Sequence, residues 1–208
     1  MSHASLLCAI HADPKDADSV SSALDHQMEP FNENGEWFKK GSRWDWFQIG
    51  GRYSGKLMGR DLLTVSEINE EAMKAWRKTA LAENYDGVVK EANETKMTTE
   101  MMNMFYGLDP TKISKEDYVK SKMTESWFPT FFAFLHERNW HEGECLGWFG
   151  TSKKEGKAGK PKVIKDKKSK SSLTTWNDKG EGWSEKFFDR FIKPLDKDML
   201  LVVVDYHV

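Results

Sequence analysis

The 208-residue chain has only two cysteines, Cys8 and Cys145, so no disulfide scaffold is available to it and a reducing compartment fits. It has no apolar run near the roughly 18 residues that a membrane span needs. Its first residues lack a charged stretch followed by an apolar one, so neither a span nor a secretory signal is expected. Neither sign of charge dominates: 31 Lys and Arg stand against 33 Asp and Glu, a formal net charge of -2, which argues against a general polyanion binder. What the chain does have is aromatic rings, with nine Trp, twelve Phe and five Tyr. These absences and this surplus suit a cytoplasmic protein of one domain, residues 1–208, carrying a large insertion.

The elements are read from periodicity and caps. Ser5 to His11 is a continuous apolar run, as in a strand covered on both faces. Asp16 or Asp18 caps a helix with Val20, Ala23, Leu24 and Met28 on one face, ended by Pro30. Phe131 to His136 is an aromatic strand that turns near Glu137 to Asn139 into a second strand through Cys145 to Phe149, a hairpin. A helix follows Ser184, with Phe187, Phe188, Phe191, Ile192 and Leu195 inward. Met199 to Val204 is the strongest strand and belongs in the sheet interior. The order β, α, ββ, α, β fits an α+β fold, a ferredoxin-like split βαβ sandwich with a mostly antiparallel sheet. The surplus, residues 31–126, reads as a mainly helical insertion between the first helix and the second strand. Its helices are expected at Ser66 to Tyr85, Thr98 to Tyr106 and Ser114 to Met123, the last opened by Ser114-x-x-Asp117. Residues 151–172 read as a flexible basic loop: Lys153 to Lys170 carries nine lysines against Glu155 and Asp166, interleaved with Gly and Pro.

Several catalytic motifs fail on inspection. Gly50 to Lys56 satisfies G-x-x-x-x-G-K, but Leu57 stands where a phosphate loop needs Ser or Thr for magnesium. His136-Glu137 and His141 have the wrong spacing for a zinc-protease helix, and on a helix those histidines would diverge by about 140°. His141, Glu142, Glu144 and Cys145 match no recognised metal spacing, so no metal or cofactor is expected. A two-histidine phosphoesterase needs two H-x-[ST] elements, and only His3-Ala4-Ser5 is present. Asp205 and His207 share a strand face. With the first and last strands antiparallel they would meet His3 and Ser5, chain end against chain end. His141 with Glu142, and Asp205 with His207, are the secondary candidates for acid–base work.

The segment hardest to explain by packing runs from Arg43 to Gly55. On a strand, Trp44, Trp46 and Gln48 point one way, and Asp45, Phe47 and Ile49 the other. Gly50-Gly51 permits close backbone approach and an anion nest. Arg43 and Arg52 can fork onto phosphate or carboxylate, with Tyr53 beside them. Rings, a glycine turn and arginine are what a nucleobase with a phosphate requires. The alternative is structural: Trp-rich segments also pin insertions onto cores, and Gly-Gly is also a bulge or turn. Gly147-Trp148-Phe149-Gly150 leads into the lysine loop, so Trp148, Lys153 and Lys154 complete the expected pocket.

The patches W-D-W-F-x-I-G-G-R-Y, G-W-F-G and L-L-V-V-V-D-Y-H, with Met28-Glu29-Pro30-Phe31 before them, resemble a set of proteins from tailed phages and bacterial genomes. The resemblance covers those patches and not the helices of the insertion. It implies a phage or mobile-element origin and a place in the host cell's cytoplasm. It does not imply a catalytic activity. By analogy with small phage counter-defence proteins, the expected function is sequestration of a nucleotide-derived signal without turnover. The alternatives are a nucleotide- or phosphoester-processing enzyme and an interaction module. The expected partners are a nucleotide-like small molecule, with a host defence protein, nucleic acid at the Lys153 to Lys170 loop and self-association as further candidates, and no membrane.

Overall fold

The computed structural model describes residues 3–35, 43–123, 128–143, 161–165, 172–177 and 183–207. It is a mixed α/β structure built on a mostly antiparallel sheet. By compactness the chain divides into two units, Met1–Ile68 with Phe128–Val208, and Asn69–Trp127.

In the first unit, β1 (His3–Ile10) leads to α1 (Ala17–Met28). Asp16 caps α1, its carboxylate accepting from the Asp18 and Ser19 backbone N–H groups. The strands β2 (Trp46–Ile49) and β3 (Leu62–Thr64) follow, then the hairpin β4 (Ala133–His136) and β5 (Asn139–Glu142). After β6 (Pro161–Lys165) and β7 (Ser172–Asn177), the helix α5 (Trp183–Phe187) runs into a π-helical turn at Phe188–Ile192, and β8 (Leu200–His207) closes the sheet. The sheet order is β2-β8-β1-β4-β5-β7-β6, with β3 also on β8. Two pairs are parallel, β1 with β4 and β5 with β7, and the remaining ladders are antiparallel.

Burial explains β8. Leu201 to Val204 are each 0% exposed. One edge of β8 carries β1 along its whole length, and the other is shared by β2 and β3. Its even residues, Leu200, Val202, Val204 and Tyr206, join Leu6, Cys8, Ile10, Ala133, Leu135 and Trp140 under α1, which contributes Val20, Leu24 and Met28. Side chains alternate along a strand, so Leu7, Phe134 and Val203 lie on the opposite face. There Phe134 meets Phe187 and stacks on Phe191, with ring centroids 6.1 and 4.7 Å apart.

Three expectations are corrected. A split βαβ sandwich places the hairpin's second strand beside β1. Here the first, β4, takes that place and runs parallel to β1, so the hairpin strands are exchanged. Residues 31–126 are not uniformly an appended helical block, because β2 and β3 are laid directly on β8. The basic stretch is not loop throughout: Pro161–Lys165 is a strand, paired with β7. Val163 and Ile164 supply β propensity there, and lysines are compatible with a sheet edge. The expected strand over Cys145 to Phe149 lies outside the described residues.

The second unit consists of α2 (Glu70–Thr95), α3 (Thr99–Tyr106) and α4 (Lys115–Lys122), each opened by an N-cap side chain, Asn69, Thr98 and Ser114. Val88, Ala92, Met102, Leu108, Tyr118 and Val119 form its core. The capping by Ser114 is as expected, whereas α2 starts later than Ser66 and extends beyond Tyr85.

Candidate functional site

The register of β1 on β8 pairs His3 with His207 and Ser5 with Asp205. The register of β2 on β8 pairs Trp46 with His207 and Gln48 with Asp205. Alternation then places His3, Ser5, Asp205, His207, Trp46 and Gln48 on one sheet face at the start of β1 and the end of β8. This is the face away from α1.

Two histidine–carboxylate pairs form there. His3 Nδ1 lies 2.9 Å from Asp205 Oδ1, and His207 Nδ1 lies 2.6 Å from Asp45 Oδ1. An ionised carboxylate only accepts, so in each pair Nδ1 is the donor and the outward-directed ring nitrogen is Nε2. The two rings are edge to face with centroids 5.4 Å apart. The His207 Nε2 is buried and has no hydrogen-bond partner among the described residues. Trp46 stands edge-on to His3 at 6.0 Å and is 45% exposed.

The loop after β2 covers this face. Gly50 and Gly51 have φ of +70° and +53°. A Cβ on Gly50 would lie 2.4 Å from Asp61 Oδ2, and one on Gly51 would lie 2.5 Å from the Asp205 side chain. Both glycines are therefore required by φ and by space. The close approach was expected to serve a ligand anion. Instead the loop's donors hold the protein's own carboxylates. The Arg52 N–H donates to Asp205 Oδ2 at 3.0 Å, the Gly55 N–H to Asp61 Oδ1 at 2.7 Å, and the Ser54 hydroxyl to Asp61 Oδ2 at 2.9 Å. The Tyr53 hydroxyl donates to the His3 carbonyl at 3.0 Å. Burial raises the Tyr53 pKa, the Asp205 charge raises it further, and Arg52 opposes them. Lys56 donates to Ser5 Oγ at 3.1 Å over the rings of Phe131 and Tyr53, and burial lowers its pKa.

The remaining expected residues separate. Trp44 and Trp46 do not share a face. Trp44 precedes the strand and is 8% exposed, its Nε1 donates to the Met28 carbonyl at 3.0 Å, and its ring meets Phe47 at 4.9 Å. Arg43 is also buried: its Nε lies 2.7 Å from Glu142 Oε1, which accepts from Trp140 Nε1 at 2.8 Å. That pair joins the Arg43 segment to β5 and leaves neither side chain open to a ligand. His141 and Glu142 alternate on β5, so they cannot act together; His141 packs on Phe191 at 5.0 Å. Gln48 is exposed on β2. Trp148, Lys153 and Lys154 lie outside the described residues. Asp45, Asp61 and Lys56 are the polar residues that the sequence reading missed. A strand extrapolated back to Trp44 puts Asp45 on the Phe47 side. The bridge at Trp44 is separate from β2, so that phase does not apply.

No family model matches the chain, and neither a curated protein nor a solved structure does.

Proposed function

We propose that this protein binds a small nucleotide-like ligand at the exposed sheet end, with Trp46 as the stacking surface and Arg52 as the charge partner, and holds it without turnover. The observation carrying this reading is Trp46 itself: a large indole left 45% exposed beside two carboxylate-oriented imidazoles, while Trp44, two residues away, is in the core. An exposed ring forgoes apolar burial and offers stacking worth about 1–3 kcal/mol per base. Arg52 complements it, with its backbone N–H fixed on Asp205 and its side chain exposed. The resemblance to phage proteins supplies the context, counter-defence sequestration of a nucleotide-derived signal in the host cytoplasm.

Isothermal titration against cyclic dinucleotides and ADP-ribose isomers tests the reading. One ligand is expected to bind, with affinity falling at least about tenfold in Trp46→Ala and in Arg52→Ala; that loss corresponds to about 1.4 kcal/mol. Silence across the panel, for protein as purified and after refolding, overturns it.

The aligned His3–Asp205 pair favours a second reading, phosphoester processing with the His3 imidazole as general base. Chromatography after incubation separates the two readings. Ligand recovered intact supports holding, and product that disappears in His3→Asn supports turnover.

A further inference from the structure

The apolar stripe of α1 faces the core, which leaves Ser22, Asp25, His26 and Glu29 along its outer side. These residues, with Pro30, Trp44, Phe47 and Arg138, line a cleft of about 530 Å³. That volume is within the range of small-molecule sites.

Arg138 reaches the cleft from the β4–β5 turn. Glu137 and Arg138 both have positive φ, +48° and +59°. A two-residue hairpin turn of this kind ordinarily takes Asn-Gly, because side chains oppose the left-handed region. Here the strained pair is tethered to α1. The Arg138 N–H donates to Gln27 Oε1 at 2.8 Å, and its Nη2 lies 3.0 and 3.1 Å from the two ring nitrogens of His26. The turn therefore forgoes its easiest sequence and presents a guanidinium.

Among the described residues no carboxylate neutralises that guanidinium. Asp25 and Glu29 line the same cleft, yet among the described residues the contacts of Arg138 are Gln27 and an imidazole, and no carboxylate pairs with it. The cleft thus keeps positive and negative groups apart around one apolar floor. The carboxylates stand at the C-terminal end of α1, where the helix dipole also favours a cation. The floor is the Trp44–Phe47 pair, in edge-to-face contact at 4.9 Å. The Trp44 N–H is already committed to the Met28 carbonyl, so the indole offers carbon and not a donor.

A ligand of one charge is repelled by the set of like charge, whereas a ligand carrying both charges satisfies each set. We infer that this cleft binds a small amino-acid-like zwitterion, its anionic group on Arg138, its ammonium on Asp25 and Glu29, and its apolar side chain against Trp44 and Phe47. This site goes beyond the nucleotide reading and uses neither Trp46 nor Arg52.

The test is calorimetric titration of the full chain with the twenty free L-amino acids, and with 2-phenylethylamine and 3-phenylpropanoate as single-charge analogues of L-phenylalanine. An apolar or aromatic amino acid is expected to bind, with both single-charge analogues at least about tenfold weaker than L-phenylalanine. Arg138→Gln, and separately Asp25→Asn with Glu29→Gln, are expected to weaken the amino acid by a similar factor. Trp46→Ala is expected to leave it unchanged. Circular dichroism confirms that each variant is folded, and Asp25→Asn and Glu29→Gln keep side-chain size. The inference is overturned if folded wild-type protein binds no amino acid at millimolar concentration, if a single-charge analogue binds equally well, or if binding survives both sets of variants. It is also overturned if a cyclic dinucleotide loses affinity in Arg138→Gln but not in Trp46→Ala, because the cleft is then the nucleotide site.

Discussion

At the scale of single residues, Gly50 and Gly51 are the tightest positions of the candidate site, and Gly51 lies against the buried Asp205. Its φ of +53° and the Asp205 side chain 2.5 Å from a hypothetical Cβ leave no room for a substituent. Gly51→Ala is expected to cost roughly 2–4 kcal/mol, the left-handed penalty plus overpacking against a buried carboxylate. Urea unfolding measures it, and a cost below 1 kcal/mol would show that the loop relaxes freely. The same scale marks where alternation misleads. Periodicity of two holds only inside a continuous strand, and Trp44 sits before β2 in an isolated bridge to Asn32. The meeting of His3 with Asp205 and His207 was legible, because it follows from the two longest apolar runs lying antiparallel. The partnership of Asp45 with His207 was not, since it depends on where β2 begins.

Among the elements, the helices that were legible carry a cap and an apolar stripe, as α1 does with Asp16 and Val20, Leu24 and Met28. The strands that were missed lack length or an unmixed composition. The strand β3 has three residues, β6 carries lysine at two of its five positions, and β7 has Ser, Thr or Asn at four of its six, so none rises above its surroundings. The exchanged order of β4 and β5 leaves no local trace either, because both orders bury the same side chains in the same alternation. Two predictions belong here. Gly87 lies inside α2 with nothing within 4 Å of a Cβ, so Gly87→Ala is expected to add about 0.5–1 kcal/mol, read from the urea midpoint. The turn after β3 is closed by a capping box in which Glu67 accepts from the Thr64 N–H and hydroxyl and pairs with Arg60. The Thr64 hydroxyl first, then Arg60, pulls the Glu67 carboxyl down to about 2. A lowered carboxylate pKa contributes stability above the unfolded value that is lost as pH falls through the folded one. The stability difference between wild type and Glu67→Gln should therefore be largest above about pH 4.5 and vanish toward pH 2. A difference that persists unchanged across that window assigns the effect to packing.

At the scale of the whole molecule, two units hold separate cores, one under α1 and one between α2, α3 and α4. The sheet unit buries β8 completely, whereas the helical unit relies on a few side chains such as Val88 and Tyr118. Small cores give small margins, so the helical unit is expected to unfold first. Scanning calorimetry should then give a van't Hoff enthalpy below the calorimetric one. A single transition with equal enthalpies would show that the units unfold together.

The pairing of residue 3 with residue 207 also governs how the molecule can be handled. Cross-strand neighbours are about 5 Å apart, so peptides attached before one and after the other emerge together beside Trp46. An affinity tag at either position is thus a tethered competitor for that indole, and a polyhistidine tag brings imidazoles to a spot that already holds two. Protein without such a tag is therefore the fair subject for titration.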